Sequence, residues 1–197
     1  FDFVKQETRG LLLVSSSSSY VVSSIILSHF EMLKQKGDFS LAGIEQFVKE
    51  LSQELKQKEL SSNKTRTELF VAQVDLKRMK MEGVSFGEFR LLSTEGAEIE
   101  KNHYPVDEAF TEKALFEESF ERGQRYLLLS PGVFRNFAES TDKNFDENSF
   151  PQLLNKEGRE AINELFFQMS RQSSGDFLKT DATVLSLEVD PHVIRQV

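Results

Sequence analysis

Two runs without a polar residue, Leu11–Leu12–Leu13–Val14 and Tyr126–Leu127–Leu128–Leu129, constrain this fold more than any other part of the chain. A strand covered on one face alternates apolar and polar side chains, and a strand covered on both faces does not. Both runs are too short to be helices. Turn residues bound them: Gly10 and the serines from Ser15 for the first, Gly123 and Ser130–Pro131–Gly132 for the second. The pattern predicts two central, fully buried strands, with Phe1–Val4 the hairpin partner of the first across Lys5–Gly10.

Helical spacing follows the first run. Val21, Val22, Ile25, Ile26, Phe30 and Leu33 fall on one face, and Gly37 closes that helix. Ser40 is the predicted N-cap of the next, whose stripe is Leu41, Ile44, Phe47, Val48, Leu51 and Leu55. Its Lys/Glu side reads as a solvated face. Strands are predicted at Leu69–Leu76 and from Val84, with Glu88–Leu92 continuing the latter and Lys77–Met81 a charged hairpin turn. Ala114–Phe120 reads as a further strand, Phe134–Ser140 as a helical turn, and Phe150–Asn155 and Glu157–Ser170 as helices. Thr183–Val189 is the last strand. Hairpin-joined strands outnumber crossover helices, so the expected class is α+β: a two-sheet, mostly antiparallel β-sandwich flanked by helices.

With 197 residues, the chain is expected to be one domain, 1–197. Phe1 opens in strand-like sequence without Met, which suggests the C-terminal part of a longer protein. The net charge of -8 disfavours duplex nucleic acid and anionic membrane surfaces, both of which need Lys and Arg. The absence of Cys excludes disulfides, thiolate nucleophiles and Cys-based zinc sites. No apolar run reaches bilayer-crossing length, and no leader pattern opens the chain. The expected location is cytoplasmic, either free or as the cytosolic part of a larger sensor.

Three segments, in order, carry a family resemblance. The first is Leu11–Val14 with the Ser15–Ser19 loop and the Val21–Leu33 helix. The second is Gln124–Arg125–Tyr126–Leu127–Leu128–Leu129–Ser130–Pro131–Gly132–Val133. The third is Thr180–Asp181–Ala182–Thr183–Val184–Leu185–Ser186–Leu187. Together they resemble the SpoIIE-type branch of the metal-dependent (type 2C, PPM) serine/threonine protein phosphatases. In that family the first strand ends in Gly-Asp, the second segment reads Gly-Asp-Arg-Leu-Leu-Leu-Tyr-Thr-Asp-Gly-Val, and the third reads Asp-Asp-Ile-Thr-Leu-Leu-Val-Leu. Asp2 resembles the tail of the family's opening motif, and Leu69–Leu76 with Gly83–Leu92 resemble its central strand pair. The resemblance covers nearly the whole chain.

That family's chemistry needs carboxylates. The resemblance implies Asp residues holding two divalent cations, manganese or magnesium, and a metal-bound water that attacks phosphoserine or phosphothreonine. Hard cations take anionic oxygen ligands, and the cation supplies hydroxide at neutral pH. Carried over position by position, the ligands fall on Ser17, Pro131 and Thr180, none of which bears a carboxylate. Asp2 and Asp181 match acids beside the ligands and are weak residual candidates; a slipped register would bring Asp176 into play as well. The expectation is a catalytically silent, phosphatase-like domain with no cofactor, acting as a regulatory or protein-binding module in bacterial phospho-signalling. The resemblance implies a phosphorylated partner of the anti-sigma-antagonist type, and it allows a homodimer. The alternative is an active phosphatase with an atypical site and bound manganese or magnesium. The Ser15–Ser19 run reads first as a loop, and Ser16, Ser17, Ser18 and Ser19 form a candidate binding loop through hydroxyls and amides.

Rival chemistries find little support. His29 lies mid-helix, where a packed residue is the simpler reading, and His103 and His192 sit far apart in loops. No His pair has metal-ligand spacing, and no Gly-x-Ser-x-Gly elbow or phosphate-cradling Gly-rich loop is present.

Overall fold

The computed structural model describes residues 1–6, 8–60, 67–93, 106, 114–121, 123–138, 150–153, 155–172 and 180–188. The chain divides into two compact units, one formed by Phe1–Phe89 with Lys101–Ser119 and the other by Arg90–Glu100 with Phe120–Val197.

The first unit is a five-stranded antiparallel sheet with two helices. Its strands are β1 (Asp2–Gln6), β2 (Arg9–Ser17), β3 (Thr67–Asp75), β4 (Lys80–Phe86) and, after β5 (Arg90–Ser93) of the other unit, β6 (Leu115–Ser119). They lie in the order β1-β2-β3-β4-β6. The predicted opening hairpin forms, with Asp2 opposite Leu13 and Gln6 opposite Arg9. Helices α1 (Tyr20–Lys36) and α2 (Leu41–Gln57) cover one face of the sheet.

Gly37 and Ser40 act as predicted, closing α1 and capping α2. Ser19 caps α1 by accepting from the Val22 N–H, and Gly37 closes it in a left-handed turn at φ 67°. Ser40 Oγ accepts from the Gly43 N–H at 3.1 Å and caps α2. The core between helices and sheet collects Val22, Ile26 and Phe30 of α1 with Ile44, Phe47 and Leu51 of α2. From the strands it takes Leu11, Leu13, Leu69, Val71, Val84 and Phe86. Each fully buried Leu, Ile or Phe of that set contributes about 1.5–3 kcal/mol.

The second unit is a three-stranded antiparallel sheet in the order β5-β7-β8. Its strands are β5 (Arg90–Ser93), β7 (Arg125–Leu129) and β8 (Val184–Glu188); its helices are α3 (Pro131–Ala138), the single turn α4 (Phe150–Leu153) and α5 (Gly158–Gln172). Leu127, Leu129 and Val184 of the sheet pack with Val133 of α3, Leu153 of α4, and Ala161, Leu165 and Met169 of α5. The α+β expectation holds: two antiparallel sheets, each with helices against it.

Four local expectations differ. Strand β4 begins at Lys80, inside the predicted Lys77–Met81 turn, rather than at Val84. The strand from Val84 does not run on through Glu88–Leu92. It ends at Phe86, and residues 90–93 pair with β7 in the other sheet. Gly87 makes the break, at φ 102°, where a side chain would also meet Cβ and Cγ of Glu68 within 3 Å. The strand β2 does not stop at Val14 but continues through Ser17, opposite Thr67. Helix α3 begins at Pro131 rather than Phe134, because Pro at the first helical position gives up only an N–H that no helix satisfies there.

Candidate functional site

In the second unit, the N-terminus of α3 and the segment entering β8 are tied together. Tyr126–Leu129 is flanked by β5 and β8, so its end delivers Ser130 and Pro131 beside residues 180–183. The Ser130 N–H donates to Thr183 O at 2.9 Å, and the Thr183 N–H donates to Ser130 Oγ at 2.8 Å. One turn along α3, Asn136 Nδ2 donates to Gly132 O at 2.7 Å and to Thr180 O at 2.8 Å. The Thr180 hydroxyl donates to Gly132 O at 3.3 Å. Gly132 is what allows this approach: a Cβ there would stand 1.7 Å from Asp181 O.

Two of the three positions that the resemblance assigns to metal ligands, Pro131 and Thr180, are therefore brought near each other, and Thr180 is engaged by Asn136 and Gly132. Pro131 is buried. It has no side-chain oxygen. Asp181 is exposed, with its carbonyl against Gly132.

The third position, Ser17, lies in the first unit at the end of β2, opposite Thr67. Its hydroxyl accepts from the Ser19 N–H at 3.2 Å, and the Ser19 hydroxyl is the α1 cap. Ser16 sits opposite Glu68, and Ser18 is exposed. The serine run is thus a strand end and a helix cap, with two of its hydroxyls turned to the local backbone. Asp2 is engaged elsewhere: Lys34 Nζ donates to its Oδ2 at 2.7 Å. That hydrogen bond holds the Asp2 carboxyl below its ordinary value, against the opposing effect of burial.

Asn136 escaped the sequence reading, because an Asn inside an amphipathic helix looks like any polar residue. Glu68 and Asp75, each at most 4% exposed, were also missed. Their burial depends on strand pairing that no local pattern reveals. His29 is the packed helix residue expected of it, with Nε2 at 2.6 Å from Glu54 Oε2. His103, His192 and Asp176 lie outside the described residues.

Solved structures with the same arrangement of elements decide the fold. The SiaA-PP2C domain of Pseudomonas aeruginosa superposes with a TM-score of 0.73 at 14% identity, over 96% of this chain and 78% of that one. The catalytic domain of the serine/threonine phosphatase PstP, solved with 2 manganese ions, gives 0.66 at 16% identity over 96% and 90%. RsbX in complex with magnesium gives 0.62 at 12% over 94% and 84%. This chain has the type 2C phosphatase fold. The resemblance seen in the sequence therefore holds at the level of the fold. No protein-family model matches the sequence, and no curated protein matches it.

These neighbours correct one expectation. The absence of a cofactor does not stand, because two of the type 2C structures carry magnesium or manganese, which points to a metal-dependent fold. The residues at the three positions that the resemblance assigns to ligands do not themselves fit such a cation, being two hydroxyls and a proline without a carboxylate. Among the described residues, no three His, Asp or Glu stand together as a metal-holding group. No helix of the described residues is long and apolar enough to cross a membrane.

Proposed function

We propose that this type 2C phosphatase-fold chain is a catalytically silent regulatory domain, which binds a protein in bacterial phospho-signalling rather than hydrolysing its phosphoester. Pro131 carries the reading. It occupies the position of the family's Thr-Asp-Gly carboxylate, is buried, and starts a helix that Asn136 locks to Thr180. A carboxylate there would concentrate charge that a cation offsets, whereas proline leaves a neutral, hydrogen-bonded corner. The proposed partner is a phosphorylated protein of the anti-sigma-antagonist kind, met in the cytoplasm, with self-association into a homodimer as a further mode.

A second reading is an active metal-dependent phosphoserine/phosphothreonine phosphatase with an atypical site. The magnesium and manganese in the neighbouring structures favour it. One experiment separates the two. Hydrolysis of p-nitrophenyl phosphate and of a phosphoserine peptide is followed with millimolar manganese, with magnesium and with chelator, beside peptide binding in the same buffers. Peptide binding without turnover supports the regulatory domain. Manganese-stimulated turnover overturns it in favour of the enzyme.

A further inference from the structure

At the end of β2 opposite the serine run, the first unit has an open cavity of about 980 Å³ lined by Gln6, Thr8, Arg9, Asp75, Lys77 and Arg78, among others. The register places it: Arg9 faces Asp75 at one end of the β2–β3 pair, and Ser17 faces Thr67 at the other. Eight residues of strand separate the two ends by roughly 26 Å. The cavity therefore lies at the opposite end of the pair from Ser17.

In a chain with 32 acidic and 24 basic residues, three cations and a single carboxylate line it among the described residues. That carboxylate is an organiser rather than a competitor. Asp75 is buried, and its Oδ1 accepts from the Lys77 and Arg78 N–H groups, each at 2.9 Å. Its Oδ2 lies 3.8 Å from Nε of Arg9 and of Arg78. One buried anion therefore draws two guanidiniums, one from the start of β2 and one from the β3–β4 turn, towards a single point. The arginine side chains are 50% and 69% exposed. Asp38 also acts on Arg9, but its Oδ1 accepts from the N–H and the hydroxyl of Ser40. Among the described residues, Arg9, Lys77 and Arg78 still outnumber Asp75 and Asp38. Guanidinium forks fit the oxygens of a phosphoryl group, an ammonium adds point charge, and Thr8 and Gln6 offer neutral donors beside them.

We infer that the cavity of Arg9, Lys77 and Arg78 binds a phosphate monoester dianion, at the far end of β2 from Ser17. The inference goes beyond the proposed function and does not depend on whether the chain turns over phosphoesters. The test is calorimetric titration of the whole chain with three probes: inorganic phosphate, a phosphoserine peptide and its unphosphorylated form. The Arg9→Gln/Arg78→Gln variant is titrated in parallel. Both arginines are solvent-facing, so the variant is expected to melt within a few degrees of the parent. Expected is sub-millimolar binding of a phosphorylated probe, weakened by salt and at least tenfold weaker in the double variant. A response to inorganic phosphate alone makes the source a free anion, and a response confined to the phosphopeptide makes it a protein; either supports the site. Equal binding by the double variant, equal binding of the unphosphorylated peptide, or no binding of any probe overturns it.

Discussion

Replacing Gly132 by alanine drives a methyl group into the backbone of the segment entering β8. The new Cβ would lie 1.7 Å from Asp181 O and 2.7 Å from Asp181 C. Carbon atoms do not approach a carbonyl oxygen within 3 Å, so helix and segment must part by more than an ångström. The obstacle is main chain, which no rotamer change can move. Overpacking of this kind costs about 1–3 kcal/mol. The hydrogen bonds across the junction are Asn136 to Thr180 O at 2.8 Å, Thr180 to Gly132 O at 3.3 Å and the reciprocal Ser130–Thr183 pair. Losing two of these adds about 1–3 kcal/mol, because buried partners are left unmatched. Alanine regains at most about 1 kcal/mol of helix propensity. The net expectation is a loss of roughly 2–4 kcal/mol. In a chain of this size that lowers the melting temperature by about 4–16 °C. Urea denaturation followed by circular dichroism reads it directly. A variant as stable as the parent would show that the α3 junction is not packed as described and would remove the reason for treating Pro131 and Thr180 as one locked corner.

Two further outcomes follow from the same contacts. Asn136→Ala leaves Gly132 O and Thr180 O without their amide donor and should lower stability by about 1–3 kcal/mol, whereas Asn136→Asp, which keeps the shape but loses the donors, should do no better. Urea midpoints compare the two, and a near-neutral Asn136→Ala would contradict the clamp. Asp2 titrates below 3.8 because Lys34 donates to it, so the folded chain holds its proton less tightly than the unfolded one. The stability of that pair is complete above the unfolded value and fades as pH falls through the folded one. Asp2→Asn should therefore flatten the acid limb of a stability–pH curve while changing stability near neutrality by less than about 1 kcal/mol, the pair being partly exposed.

Legibility in the sequence followed the kind of interaction involved. Leu11–Val14 and Tyr126–Leu129 announced themselves because burial on both faces leaves no polar residue, and Gly37 and Ser40 because helix ends need particular residue types. Ser15–Ser17 misled because strand pairing uses the backbone: serines opposite Thr67–Leu69 join the ladder without any side-chain signal. The change of sheet at Gly87 depends on the room that Glu68 needs, a residue nineteen positions earlier. The candidate site divided the same way. That Ser17, Pro131 and Thr180, the positions the resemblance assigns to ligands, carry no carboxylate could be read directly from the letters. That Thr180 is held by Asn136, 44 residues away, exists only in three dimensions.

That difference gives the Pro131 reading its most demanding test, which is to put the carboxylates back. Pro131→Asp/Thr180→Asp places two acids at the one corner of the second unit where the structure brings both positions together. At the first turn of α3 an Asp is favoured by the helix dipole, and the N–H that proline lacks is one no helix satisfies there. Against that, position 131 is buried, and two close carboxylates repel, raising the pKa of at least one of them. In chelator the variant should melt several degrees below the parent. A divalent cation that bridges the new acids would reverse the loss, since a ligand bound only by the folded state stabilises it by mass action. The expected result is a melting temperature that recovers with millimolar manganese and falls again with chelator, where the parent responds less. Recovery would mean that the corner keeps the family's geometry and lacks only its charge. A variant destabilised equally with and without manganese would mean that the lock between Asn136, Gly132 and Thr180 has remade the corner for another purpose.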